Sequence, residues 1–257
     1  MNINVANNVV KPAVNTPVSA KGRQNPEQSN QNLANQIKSR LSGPQTLSTE
    51  VKSLINQLVP TQQGSSQRAS GQLGSDSRSS ATLRTASAAS LVASGIIMGT
   101  EKNDVLVGTS GNDTIQGKGG DDLIVGKEGN DKIDGGKGND LILAGEGHDS
   151  VKGGDGNDKI FGQGGNDRIE AGNGNDWVDG GNGNDKIWGG AGNDDLKGGA
   201  GNDWIGGGAG NDVINGGTGN DDLQGGAGDD RIEGGEGNDR IKGGSGSDKI
   251  WGGAGND

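Results

Sequence analysis

From Gly99 to Asp257 one aliphatic side chain returns every nine residues, as Leu106, Ile115, Ile124, Ile133, Ile142, Val151 and onward to Ile250. Two residues ahead of each stands an aspartate, preceded by a glycine-rich run. The unit reads G-G-x-G-N-D-x-U-x with U aliphatic; Gly135-Gly136-Lys137-Gly138-Asn139-Asp140-Leu141-Ile142-Leu143 is a clean copy. Seventeen full copies and six residues of an eighteenth follow one another without insertion or deletion. A fixed period of this kind marks a repeat architecture, in which each unit buries its apolar residue only by stacking on its neighbours.

The pattern predicts a short strand over positions 7–9, with the aliphatic pointing one way and its two neighbours the other. Those neighbours, as in Lys159-Ile160-Phe161 or Arg231-Ile232-Glu233, suit a solvated face. Positions 1–6 read as a turn: glycine at 1, 2 and 4 permits positive φ and close backbone approach. Asparagine at position 5 tolerates left-handed conformations. Two repeats then wind one flattened coil whose strands pair in parallel with the coils above and below. The aliphatics meet across a narrow interior, and nearly nine coils make a rod of roughly 40 Å.

Upstream the pattern dissolves. Residues 1–80 are rich in Asn, Gln, Ser and Thr, with Pro12, Pro17, Pro26, Pro44 and Pro60 spaced through them, and are expected to be largely disordered. Two stretches carry a helical period: Leu33, Ile37 and Leu41, and then Val51, Leu54, Ile55 and Leu58, with Ser48 and Thr49 as N-cap residues and Pro60 as terminator. Short isolated helices are marginal in water, so these are expected to be transient, with docking to a partner or export chaperone as the alternative. Residues 81–98 end in Ile96-Ile97-Met98 and are expected to cap the first coil of the array at 99–257.

Composition narrows the field. Hydrophobic residues make up 27% and aromatics 2%, while glycine supplies 55 residues, so no mixed close-packed core can form. Without cysteine there is no disulfide framework and no thiolate metal site. No apolar stretch is long enough to span a bilayer, and Met1 to Lys11 lacks the features of a secretory signal peptide. Residues 1–98 carry a balance of +6 and the repeats −17. An array that acidic repels nucleic acid and attracts cations.

Stacking lines each position-6 aspartate up with the one 18 residues away, and the thin core cannot offset both that repulsion and the ordering of so many glycines. A divalent cation between successive turns would supply what is missing. Carboxylates and backbone carbonyls in a pliable turn suit Ca²⁺ better than Mg²⁺, and a single histidine with no cysteine disfavours zinc. With these residues in view, the array resembles the repeats-in-toxin family of secreted bacterial calcium-binding proteins, whose nonapeptide is a known calcium repeat. The resemblance implies an all-β, right-handed parallel β-roll with multiple Ca²⁺ ions held by position-6 carboxylates and turn carbonyls. On this chain the implied ligands are Asp122, Asp140, Asp158, Asp176, Asp194, Asp212, Asp230 and Asp248 in one column, headed by Asp104. The other column holds Asp113, Asp131, Asp149, Asp167, Asp185, Asp203, Asp221 and Asp239, and ends in Asp257. Departures cluster early: Lys102 replaces the fourth-position glycine, and Thr100, Thr109, Lys118, Lys127 and Gln163 the second. Ala144 and Ala171 replace the first.

The same resemblance implies an extracellular protein, either free or as the repeat portion of a larger toxin or exoenzyme. The C-terminal export signal of the family is not seen, and the polar N-terminus is only loosely similar to leaders of other secretion routes. His148 takes the asparagine position of a turn. Gly-x-Gly recurs everywhere but opens no helix, which excludes a nucleotide loop. Nothing pairs a nucleophile with a base, so no enzymatic activity is expected. Trp177, Trp188, Trp204, Trp251 and Phe161 occupy outward positions, where a calcium-rigidified spacer could offer them to a cell surface, carbohydrate or protein.

Overall fold

A computed structural model describes residues 26–40, 53–55, 57–58 and 95–257. From residue 96 onward eighteen strands alternate between two parallel sheets, the odd-numbered strands in one and the even-numbered in the other. They begin with β1 (Ile96–Met98), β2 (Val105–Val107) and β3 (Thr114–Gly119) and end with β17 (Arg240–Ser245) and β18 (Lys249–Ala254). The register advances by eighteen residues from strand to strand, setting Ile187 between Ile169 and Ile205. The two nine-stranded sheets bury one file of aliphatics each between them, from Ile97 and Leu106 to Leu223 and Ile232. The β-roll expected from the repeats is therefore present, and it begins one strand earlier than the first repeat. Ile96–Met98, expected to belong to a cap, pair with Thr114–Gln116 as the first strand of the odd sheet; residues 81–94 lie outside the described residues.

From β3 onward each strand is six residues long, not three. It takes in positions 7–9 and continues through positions 1–3 of the next repeat, leaving only positions 4–6 for the turn. Lys132–Lys137, for example, buries Ile133 and Gly135 on the inner side. Position 1 is thus a second inward residue, and glycine there answers a need for space. A Cβ on Gly135 would run into the Asp140 carboxylate and the Gly153 carbonyl of the next coil. Position 2 is different: Gly136 has φ 109° and Gly199 φ 116°, where a side chain is strained. Asparagine at position 5 is not left-handed anywhere. Among the described residues the only non-glycine positive φ values belong to Lys118, Lys127 and Gln163. What position 5 provides is a side-chain ladder, in which Asn139 Oδ1 accepts the Asn157 N–H at 2.7 Å and Asn157 Oδ1 the Asn175 N–H at 2.7 Å.

The helical periods upstream fall on real structure. Helix α1 (Pro26–Arg40) begins at a proline, which suits the first helical turn, and ends with Lys38 and Arg40, which favour the negative end of its dipole. Ala34 and Ile37 are buried, as is Leu58 after the helical residues 53–55. Leu41, Ser48, Thr49, Val51 and Pro60 lie outside the described residues. The helix is not a free tail: it packs on the outer face of the even sheet. Its floor is Leu123 and Val125 on β4 (Leu123–Glu128), Leu141 and Leu143 on β6 (Leu141–Glu146), and Phe161 on β8 (Lys159–Gly164). These outward residues are apolar, unlike the solvated neighbours of later repeats.

Candidate metal centre

Turns at positions 4–6 sit at both edges of the roll, and the strand that follows fixes where each position-6 side chain points. It points inward. Asp113 through Asp239 in steps of nine are all buried, Asp122 to 0% exposure. Their burial follows from the small residue at position 1, which leaves a recess beside each turn. One oxygen is anchored: the N–H of each aspartate donates to Oδ1 of the aspartate 18 residues later. Asp104 to Asp122 (2.7 Å), Asp140 to Asp158 (2.8 Å) and Asp212 to Asp230 (2.9 Å) belong to one column. Asp113 to Asp131 (2.8 Å) and Asp221 to Asp239 (2.9 Å) belong to the other. The geometry thus assembles the two expected columns.

The other oxygen is orphaned. Oδ2 of Asp122, Asp131, Asp140, Asp149, Asp158, Asp167, Asp176, Asp185, Asp194, Asp203, Asp212, Asp221, Asp230 and Asp239, and Oδ1 of Asp113, are buried with no hydrogen-bond partner. Buried charge without a partner is among the most costly arrangements in a protein. Burial pushes the carboxyl pKa up to about 6 for Asp122, Asp131, Asp140, Asp176, Asp185, Asp194 and Asp212. It reaches about 7 for Asp158 and Asp203 and about 8 for Asp167. The hydrogen bond from the previous coil pulls against this, and neighbouring aspartates in the column, where they act, add to it. Desolvation exceeds the like-charge repulsion that the sequence emphasised.

The ends differ. Asp104 is half-buried, and its Oδ2 accepts from the N–H and hydroxyl of Thr100 at 2.6 and 2.9 Å. Thr109 treats Asp113 Oδ2 the same way, at 2.6 and 3.0 Å. Asp248 is half-buried and accepts the Asp230 N–H at 3.1 Å, and Asp257 is exposed. Threonine at position 2 thus gives the first carboxylates a donor that glycine cannot.

Among the described residues no three His, Cys, Asp or Glu side chains converge on one point. An ion at these turns would take one or two carboxylates and complete its shell with backbone carbonyls, a donor set of hard oxygens that fits Ca²⁺. The recess that a Cβ at Gly198 would fill is bordered by Asp203 Oδ2 and the Gly216 carbonyl, and this pairing recurs along both columns. The residues present therefore fit the group. His148 behaves as an asparagine substitute: its N–H donates to Asn130 Oδ1 and its Nδ1 accepts the Asn166 N–H, both at 2.8 Å.

The outward aromatics divide. Phe161 is buried in the cluster that Ala34, Ile37 and Leu58 share with the even sheet, beside Trp177 of β10 (Trp177–Asn182), ring centroids 4.9 Å apart. Trp188 and Trp204, on neighbouring strands of the odd sheet, pack with ring centroids 4.6 Å apart and planes tilted by 44°, with Arg168 over Trp188. Trp251 is 45% exposed. No described helix is long and apolar enough to cross a membrane. The family model of the RTX calcium-binding nonapeptide repeat, four copies long, matches repeatedly over residues 98–223 and 224–257, in overlapping windows such as 98–133, 116–151 and 188–223. No curated protein matches the chain.

Proposed function

Because this chain belongs to the RTX calcium-binding nonapeptide repeat family, we propose that residues 99–257 are a calcium-dependent folding unit of an exported protein. The observation that carries this is the file of buried carboxylate oxygens with nothing to bond to. Calcium supplies positive charge where those oxygens are desolvated. The residues that hold it are the paired aspartates of each column, from Asp113 and Asp122 to Asp239 and Asp248, with carbonyls of the position-1 glycines beside them. In a calcium-poor cell the array stays unfolded and passes through an export channel as a chain; in the millimolar calcium outside it folds. The activity assigned to the roll is binding and folding, with no catalytic role. Calorimetric and circular-dichroism titration of the whole protein with CaCl₂, starting from chelator, tests this. Cooperative gain of β-structure with several ions bound is expected, and identical spectra in chelator and in excess calcium would refute it.

A second reading is favoured by the Trp188–Trp204 ring pair, partly exposed on the outer face of the odd sheet. Here the folded roll is a rigid spacer that presents an aromatic surface to a carbohydrate or protein. Glycan-array or pull-down binding by a Trp188→Ala/Trp204→Ala double variant separates the readings. Binding lost with calcium folding intact supports the spacer.

A further inference from the structure

We propose that α1 and residues 53–55 and 57–58 are an internal ligand of the calcium-folded roll, so that calcium decides whether this N-terminal segment is free or sequestered. The proposal rests on the calcium-folding reading above. Its starting point is how the docking surface is built. No single coil supplies it: β2 gives Val105 and Val107, β4 Leu123 and Val125, β6 Leu141 and Leu143, and β8 Phe161. Each contributes at most two outward side chains, so the floor exists only when four coils are stacked in register. An unfolded array offers nothing that Ala34, Ile37 and Leu58 could bury against, and a helix of this length is marginal on its own. Docking therefore follows roll formation, and by linkage it must stabilise the coils it needs.

Those coils are the ones that need help. The three side chains forced into positive φ, Lys118 (79°), Lys127 (86°) and Gln163 (78°), fall within the part of the roll the helix spans. From Gly172 to Gly253 every position-2 residue is glycine. Strained position-2 side chains and the apolar floor under the helix thus fall in the same first coils. The fit is directional as well as apolar. At the C-terminal end of α1 the Lys38 ammonium donates to the Asp121 carbonyl at 2.5 Å, pinning the helix to the turn that precedes β4. The segment that the sequence offers as a docking helix for a partner or chaperone is hidden once the roll has folded. It is available to another protein only while calcium is absent.

Hydrogen-exchange mass spectrometry on the full-length chain, in chelator and in excess CaCl₂, tests this. The amides of residues 30–40 are expected to be protected in calcium alone, together with those of the strands. Ile37→Asp is expected to abolish that protection and raise the calcium midpoint of the first four coils severalfold, while β12 to β18 (residues 195–254) fold as before. Asn215→Ala, on the same sheet beyond the helix, should change neither. A roll that folds in calcium with α1 unprotected, or a calcium midpoint indifferent to Ile37→Asp, overturns the sequestration and leaves calcium folding standing. Strands and helix equally protected in chelator overturn both.

Discussion

At the scale of single residues the position-6 aspartate performs two tasks that can be separated by substitution. Asp167 accepts the Asp149 N–H through Oδ1 at 2.9 Å, while its Oδ2 stays buried without a donor. Asp167→Asn keeps the acceptor and removes the buried charge, with an amide N–H₂ near the Gly180 carbonyl. It is expected to melt at a higher temperature than the native protein in chelator at neutral pH, and to bind calcium more weakly. Asp167→Ala loses both features. It leaves the Asp149 N–H unsatisfied at a cost of about 1–3 kcal/mol and should be less stable than Asp167→Asn both in chelator and in calcium. Thermal melts of the two variants in chelator and in calcium provide the comparison; an Asn variant less stable than native in chelator contradicts the desolvation account. The sequence showed that these aspartates matter through their strict register with the aliphatic two residues on. It did not show their burial, because that depends on the recess left by position 1, and position 1 looked like part of a turn.

At the scale of elements, what could be read was periodic and what could not was local. Ile133 and its equivalents announced the strands and their pairing. The added half of each strand was hidden because glycine and alanine at position 1 carry no hydrophobic signal, although they point inward like any core residue. The sequence offers Asn157 and its neighbours as conformationally tolerant turn residues, whereas they form hydrogen-bonded ladders that exist only between stacked coils. The helix floor was in plain view: Leu123, Val125, Leu141 and Leu143 break the polar rule of outward positions. The average over seventeen repeats masked them. The position-2 departures lead to a further expectation. Replacing Lys127 or Gln163 by glycine removes a left-handed side chain, worth about 1–2 kcal/mol, offset in part by the greater freedom of glycine in the unfolded chain. Each variant should therefore raise the calcium-loaded melting temperature modestly, and a lowered one would mean that these side chains make compensating contacts.

On the scale of the whole molecule, charge and protons set the conditions under which the roll can exist. Without its eighteen position-6 aspartates the array retains thirteen acidic residues against fourteen basic ones, so its excess negative charge lies entirely in the two ladders. Ten of those carboxyls, Asp122, Asp131, Asp140, Asp158, Asp167, Asp176, Asp185, Asp194, Asp203 and Asp212, are pushed up by burial to about 6 to 8 in the folded chain, from 3.8 in an unfolded one. The folded state therefore holds more protons between these limits, and ion-free stability falls as pH rises through that window. Below about pH 4 the roll keeps this contribution in full; by pH 8 it is gone. Calcium and protons satisfy the same oxygens, so they must compete. In chelator the array is accordingly expected to gain β-structure as the pH is lowered from 8 towards 4. Over the same range the calcium concentration needed to saturate binding should rise. Circular dichroism in chelator and calcium titrations at pH 5, 6, 7 and 8 measure the two halves of this linkage. Tighter calcium binding at pH 5 than at pH 8 would show that the buried aspartates are not where the ions go.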